Sequence, residues 1–471
     1  VTYLNIFPKF PVSILSVAVL LMACTPEKSA EEKPAETLEP FPSTYQAIPS
    51  ESFIIEHATV LTGTGKQLED ASVLVEKGKI KVVGQNVFVA TDITRYDGNG
   101  KWVTPGIIDV HSHLGVYPSP GIESSADGNE MTAPVTAQVW AEHSVWTQDP
   151  GMQLALAGGV TTFQVLPGSG NLIGGRGVTL KNVFARSVQG MKFPDAPYSL
   201  KMACGENPKR FYGSKGRSPS TRMGNVAGYR AAWIKAQAYR EKWDKYYESI
   251  GSKKEKDKPK RDLNLETLSE VLRGNILVHN HCYRAEEMLV MIDIAKEFGY
   301  KISAFHHAVE AYKVADVLAK ENICAAVWAD WWGFKHEAFD QVKENAAMVE
   351  NAKACSIIHS DSAIGIQHLN QEASKAMAAG NKNGLALQPK DAIKWITANP
   401  AKAMGIEDKT GTLEESKMAD IVIWSHNPFS IYAKAEKVFI DGALMYDRDD
   451  RTKQPVSDFD LGITDPEGER L

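Results

Sequence analysis

His111 and His113 stand one residue apart at the end of the apolar run Ile107-Ile108-Asp109-Val110, with Pro105-Gly106 just before it. Side chains alternate along a strand with period two, so this spacing puts both imidazoles on one face at the strand's end. Two neutral ring nitrogens held there can chelate a single cation. The pair alone is weak, because histidines at a strand edge are often merely solvated. Its meaning depends on the sheet that carries it.

The elements that would position it form a pattern. Short apolar runs fall at Ile107–Val110, Thr161–Val165, Val178–Lys181, Leu200–Ala203, Ile276–Val278, Ile302–Phe305, Ile323–Val327 and Ser356–Ile358. Helical segments lie between them; in Ala285–Phe298, Met288, Leu289, Ile292, Ala295 and Phe298 recur at three- and four-residue spacing as one apolar stripe. Such alternation predicts an α/β fold with a parallel sheet, and eight strands close a (β/α)8 TIM barrel with its active site at the strands' C-terminal ends. The barrel is expected over 105–405. Residues 225–262 read as a helical insertion, aromatic and basic, whose charge run Ser252–Asp262 is a solvated loop. Gly-punctuated strand signals over 52–104 return over 406–447, and 448–471 is left as a tail.

The chain of 471 residues carries 52 Lys+Arg against 58 Asp+Glu, a net charge of −6, and is 43% hydrophobic. That is too apolar for a disordered protein, and the mild acidity gives no reason to expect nucleic acid, whose binders usually carry a basic stripe. Val12–Ala23 is an apolar run of a dozen residues, too short for a membrane-spanning helix of about 20 and suited to a signal-peptide core. Cys24 after it resembles the lipidated cysteine of bacterial lipoproteins, which implies a signal peptide over 1–24, a lipid anchor and periplasmic placement. Thr25 behind it implies sorting to the outer membrane. Residues 25–51 hold six acidic and two basic residues among Pro, Ala and Ser, and read as a disordered tether. The other cysteines, Cys204, Cys282, Cys324 and Cys355, show no Cys-x-x-Cys pairing and are expected as small buried thiols.

Taken together, Pro105–His113 resembles the first-strand signature of the amidohydrolase superfamily. Ala126-Asp127-Gly128-Asn129-Glu130, Ala157–Thr162, Gly205–Arg210, Ile396–Lys402, Gly411-Thr412-Leu413 and Met418–Val422 are similar to its imidazolonepropionase-like branch. The likeness covers residues 53–447 and implies a metal-dependent barrel flanked by a small β-sandwich built from both chain ends. It also implies a divalent metal, zinc by preference, as one ion or two. The ligands it implies are His111, His113, His279 on the fifth strand, His307 on the sixth and Asp361 on the eighth. His281 shares His279's face and would reach substrate, whereas His306 should point away from His307's side and His359 has adverse parity. Lys201 matches a lysine that many relatives carboxylate, and a lysine inside an apolar strand is costly without a special role. Glu206 is the alternative bridging ligand.

The resemblance implies a hydrolase of non-ester C–N bonds, in which metal-activated water attacks and Asp361 moves the proton. The substrate would be a small amide, peptide-like or cyclic amide, dipeptides included. The alternatives are a deaminase or ring-opening hydrolase, and a non-catalytic solute-binding lipoprotein. Arg176, Lys209 and Arg210 are candidates for a substrate carboxylate, and Tyr212, Tyr283 and Arg284 for other substrate contacts.

Overall fold

A computed structural model describes residues 40–455. The leader with Cys24, the tether over 25–39 and the tail over 456–471 lie outside the described residues. Five strands come first: β1 (Phe53–Leu61), β2 (Gln67–Glu76), β3 (Lys79–Gly84), β4 (Thr94–Asp97) and β5 (Trp102–Pro105). Eight follow: β6 (Ile107–Ser112), β7 (Val160–Val165), β8 (Ile173–Lys181), β9 (Tyr198–Ala203), β10 (Ile276–His281), β11 (Ile302–His306), β12 (Cys324–Val327) and β13 (Cys355–Ile358). The last three are β14 (Ile421–Trp424), β15 (Ala435–Ile440) and β16 (Ala443–Asp447).

Strands β6 to β13 pair consecutively into a nearly closed eight-stranded barrel. All six residues of β6 are buried, as are those of β7 and β9, because such strands face side chains inward and helices outward. The expectation of an all-parallel sheet fails at one strand: β8 runs antiparallel to both β7 and β9. Only residues 166–172 join β7 to β8, and a parallel return needs a crossover of a dozen or more residues.

Strands from both chain ends meet in a second sheet, in the order β16-β15-β14-β5-β1-β2-β3 with β4 paired to β1. The ends therefore share one mixed sheet, where the resemblance implies a sandwich. Its apolar face holds Phe53, Val73, Val103, Ile421 and Phe439. A buried ionic node joins it to the barrel: Lys181 Nζ lies 3.3 Å from Asp420 and 2.8 Å from Asp441.

Part of the expected tether is fastened down. Thr44 N donates to Gln189 O at 2.9 Å, Ser43 Oγ to Lys192 O at 2.7 Å, and Tyr45 Oη to Asp441 Oδ2 at 2.5 Å.

The outer helices include α1 (Pro150–Ala157), α2 (Glu206–Gly213), α3 (Arg222–Tyr247), α4 (Leu263–Arg273) and α5 (Ala285–Phe298). The expected insertion is α3 with its solvated loop. Helix α3 starts on Thr221, whose hydroxyl accepts from Gly224 N, and buries Tyr229, Trp233, Ala236 and Trp243 on one stripe. Helix α5 buries Met288, Ile292, Ala295 and Phe298 as expected, but Leu289 is exposed. No described helix is long and apolar enough to cross a membrane.

The four cysteines are not free thiols. Cys204 is bonded to Cys282 and Cys324 to Cys355. Each pair joins neighbouring strands at matching heights: Cys204 and Cys282 directly follow β9 and β10, and Cys324 and Cys355 are register partners.

Candidate metal centre and active site

The C-terminal mouth of the barrel encloses a cavity of about 510 Å³. His111, His113, Lys201, His281, His307 and Asp361 all line it. His113 Nδ1 lies 2.8 Å from the carbonyl oxygen of Leu166. A carbonyl only accepts, so the proton sits on Nδ1 and the Nε2 lone pair is free. That nitrogen is 3.4 Å from His111 Nε2 and 3.3 Å from Asp361 Oδ1. Asp361 Oδ1 is 3.5 Å from His111 Nε2, and Oδ2 is 3.8 Å from His307 Nε2.

Asp361 reaches this point through a left-handed backbone, φ 51°, with its N–H donating to His111 O at 3.1 Å. Just beyond it, Ser362 Oγ accepts from Ile364 N and Gly365 N. Burial pushes the Asp361 carboxyl up, but its contact with His113 and the charge of Lys201 outweigh it. The result lies below the usual carboxylate range. Asp109, buried beneath, accepts from Ser360 Oγ and from His111 N at 3.1 Å, so it braces the first and last barrel strands together.

Two histidines trade places with the expectation. The structure does not bring His279 to the cavity. β10 extends to His281, with His279 opposite Lys201 and His281 opposite Ala203, so His281 occupies the strand's end and His279 lies one layer deeper. There His279 Nδ1 shares a 2.8 Å hydrogen bond with His306 Nε2, and His306 Nδ1 another with His111 Nδ1. His306 therefore points inward, against the alternation argument. His307 has φ 55°, and that left-handed step turns two adjacent side chains into the same interior.

His359, set aside on parity, is also interior. Its ring lies 4.7 Å from that of His307 and 5.3 Å from that of His111. It follows the last residue of β13, where strand alternation no longer applies.

The donor set suits a divalent cation. Among the described residues, both ring nitrogens of His281 and of His359, and Nδ1 of His307, are buried without a hydrogen-bond partner. Buried polar atoms are almost always satisfied, so this cluster of lone pairs needs an acceptor of electrons that is not a protein group. His111, His307 and His359 form one group of converging donor atoms and His111, His113 and Asp361 another, with His111 common to both. Burial, helped by neighbouring charges, holds His111, His281, His306 and His307 well below the usual histidine value, and pushes His279 and His359 down to about 3. The imidazoles are therefore neutral, as ligation requires.

Lys201 is fully enclosed, its Nζ 3.4 Å from His111 Nε2 and 3.0 Å from the Pro167 carbonyl it donates to. Burial pushes the ammonium down to about 7. Glu206, the rival, does not line the cavity; its backbone N–H donates to Glu337 Oε2 at 2.9 Å.

Of the expected substrate contacts, only His281 and Tyr283 line the cavity. Arg176 is buried on β8, its guanidinium 4.0 Å from the Trp140 ring and its Nε donating to Thr267 Oγ1 at 2.8 Å. Tyr212 Oη donates to Asn171 Oδ1 at 2.5 Å, away from the cavity. Lys209 and Arg210 lie on α2 outside it, and Arg284 pairs with Glu286. Missed from the sequence were Asn207, Trp328 and Lys335. Trp331 and Trp332 on the same loop line the cavity as well, whereas His336 is exposed and Glu337 pairs with Arg222.

A match to the amidohydrolase family spans residues 102–445. The chain is 32% identical over 428 residues to the amidohydrolase tasK of Hapsidospora irregularis; the alignment covers 84% of this chain but only 43% of that protein. It is 23% identical over 439 residues to a 5-methylthioadenosine/S-adenosylhomocysteine deaminase of Symbiobacterium thermophilum, covering 84% of this chain and 94% of that one. The crystal structure of an amidohydrolase from Thermotoga maritima superposes with a TM-score of 0.77 at 35% identity, over 84% of this chain and 100% of that one. With a family match that runs across the whole barrel and into the second sheet from β5 to β16, this chain belongs to the amidohydrolase family.

Proposed function

We propose that this amidohydrolase cleaves a non-ester C–N bond of a small amide or peptide-like substrate, with Asp361 as general base and then general acid. The observation that carries it is the placement of Asp361, ionised and in contact with His113, His111 and His307 on the cavity floor. Bound to His111, His113, His281, His307 and Asp361, a divalent cation, zinc in this reading, would polarise the scissile carbonyl and lower the pKa of a water to about 7. Asp361 takes the proton released on attack and delivers it to the leaving nitrogen. His306 orients His111 through the Nδ1 bond, as outer groups do for metal-binding imidazoles. Lys201, with a large neutral fraction near pH 7, can take up CO2 as a carbamate and add a carboxylate to the donors.

The same reading places the protein outside the cytoplasm, lipid-anchored through Cys24 on the periplasmic side of the outer membrane. Two disulfides support an oxidising compartment.

The test is a screen of the zinc- or manganese-loaded protein against N-acyl amino acids, dipeptides and cyclic ureides, with free amino acid and ammonia read separately. Asp361→Asn should keep folding and metal while losing at least about a hundredfold in kcat. Full turnover in that variant at unchanged metal content removes Asp361 from the role. Ammonia released from a ring substrate would instead favour deamination, the activity in the name of the Symbiobacterium relative. A protein that binds no metal after reconstitution would favour a non-catalytic solute binder.

A further inference from the structure

We propose that Lys335 is the carboxylate-recognising residue of this cavity, and that the substrates are amides carrying a free carboxylate beside an apolar group, as N-acyl amino acids do. This rests on the C–N hydrolase reading above and adds which molecules the site selects. Lys335 lies on the loop that follows β12 and lines the cavity with Asn207 and Ser169. Its Nζ stands 4.0 Å from the centroid of the Tyr283 ring and donates to Asn207 Oδ1 at 3.0 Å. Asn207 is itself oriented, since its Nδ2 donates to Ser169 Oγ at 2.8 Å and leaves Oδ1 for the lysine.

The ammonium is held in place but makes no direct ion pair. It has three N–H donors, of which the described protein groups take one. Among the described residues no carboxylate pairs with it directly; Glu206, whose Oε1 is buried without a hydrogen-bond partner, acts on it from beyond ion-pair distance. The other acids around it are engaged elsewhere: Glu337 with Arg222, Asp330 with Lys375 at 2.7 Å, and Asp361 with the histidines. Burial accordingly pushes Lys335 down to about 8. A positioned cation without a direct ion-pair partner, at the wall of a cavity, is what an anionic substrate group would complete.

The aromatic residues give the path between this cation and the metal ligands. The Tyr283 ring is 4.6 Å from His281 and 5.9 Å from His307 on one side, and Lys335 sits over the same ring. Trp328 stacks on His307 at 4.4 Å and Trp331 stacks on Trp328 at 5.7 Å, forming an apolar wall beside it. A substrate with its amide at the histidines and its carboxylate at Lys335 crosses Tyr283 and lays its side chain along the tryptophans.

The experiment compares N-acetylphenylalanine with N-(2-phenylethyl)acetamide, the same molecule without the carboxylate, in the metal-loaded full chain and in Lys335→Gln and Lys335→Arg. The wild type should prefer the acid by at least about tenfold in kcat/KM. Lys335→Gln should lose that preference through KM, with kcat within about twofold, and Lys335→Arg should keep part of it. Equal kcat/KM for the two molecules in the wild type, or an undiminished preference in Lys335→Gln, overturns the assignment. Calorimetric titration of the same two ligands tests it without turnover. If no amide is cleaved, the hydrolytic reading fails by itself, while selective binding of the acid that Lys335→Gln abolishes still supports Lys335. Equal binding, or none, of both ligands by the wild type overturns it.

Discussion

At the scale of single residues, the site is a column of imidazoles rather than a ring. His281 and His307 stand at the mouth beside His111, and His306 and His279 continue downward from His111 by hydrogen bonds of 2.8 Å each. The two members of His279-Asn280-His281 should therefore behave differently. His281→Ala is expected to weaken zinc affinity by about tenfold or more, while His279→Gln changes it less, as measured by competition with a chromophoric chelator. The reverse order of effects would return His279 to the cation. The His-x-His pair could be read from spacing because β6 is one continuous apolar strand that ends at Ser112, between the two histidines. The choices at 279 against 281, at 306 and at 359 could not. They depend on where a strand ends and on a left-handed residue, and neither leaves a mark in hydrophobic periodicity.

At the scale of elements, the apolar runs located all eight barrel strands to within a few residues, since burial on both faces demands continuous apolar text. Their directions were less legible. The short link over 166–172 is the available signal for the reversed β8, because apolar runs by themselves carry no direction. The cysteines show the same limit. Cys204 and Cys282 are 78 residues apart, and Cys324 and Cys355 are 31 apart, so only the pairing of β9 with β10 and of β12 with β13 brings them together. Closed loops of those lengths contribute about 2–4 kcal/mol each. Native protein should resist alkylation at all four cysteines, react at all four after denaturing reduction, and melt at a lower temperature when reduced. Ready alkylation of the native, oxidised protein would contradict the pairing.

At the scale of the whole molecule, burying so many neutral imidazoles makes stability depend on pH. Six histidines, 111, 279, 281, 306, 307 and 359, are held below their ordinary value. As pH falls through about 6.5 the unfolded chain binds protons at these positions while the folded chain does not, down to about 3 at His279 and His359. Each histidine then removes about 1 kcal/mol of stability per pH unit. Asp109, raised by burial to about 7, has the opposite sign because the folded state keeps its proton, but it is one group against six. The metal-free protein should therefore melt at progressively lower temperature from pH 7 to pH 5, and a flat profile would show that the imidazoles are not neutral and enclosed.

The reversed strand divides the molecule into parts that can change and parts that cannot. With β8 antiparallel, the turn over 166–172 opens on the cavity, where Pro167 and Ser169 touch Lys201 and Asn207. The far end of β8 delivers Lys181 to Asp420 and Asp441 at the opposite side of the barrel. A designer seeking new substrates should treat that short turn as part of the reaction chamber and vary it together with the loop bearing Lys335. The stretch from 182 to 197 belongs to the chassis, where it also receives Ser43 and Thr44 of the incoming chain. Sequence changes there should alter how firmly the chain's two ends are held, and leave the choice of substrate as it is.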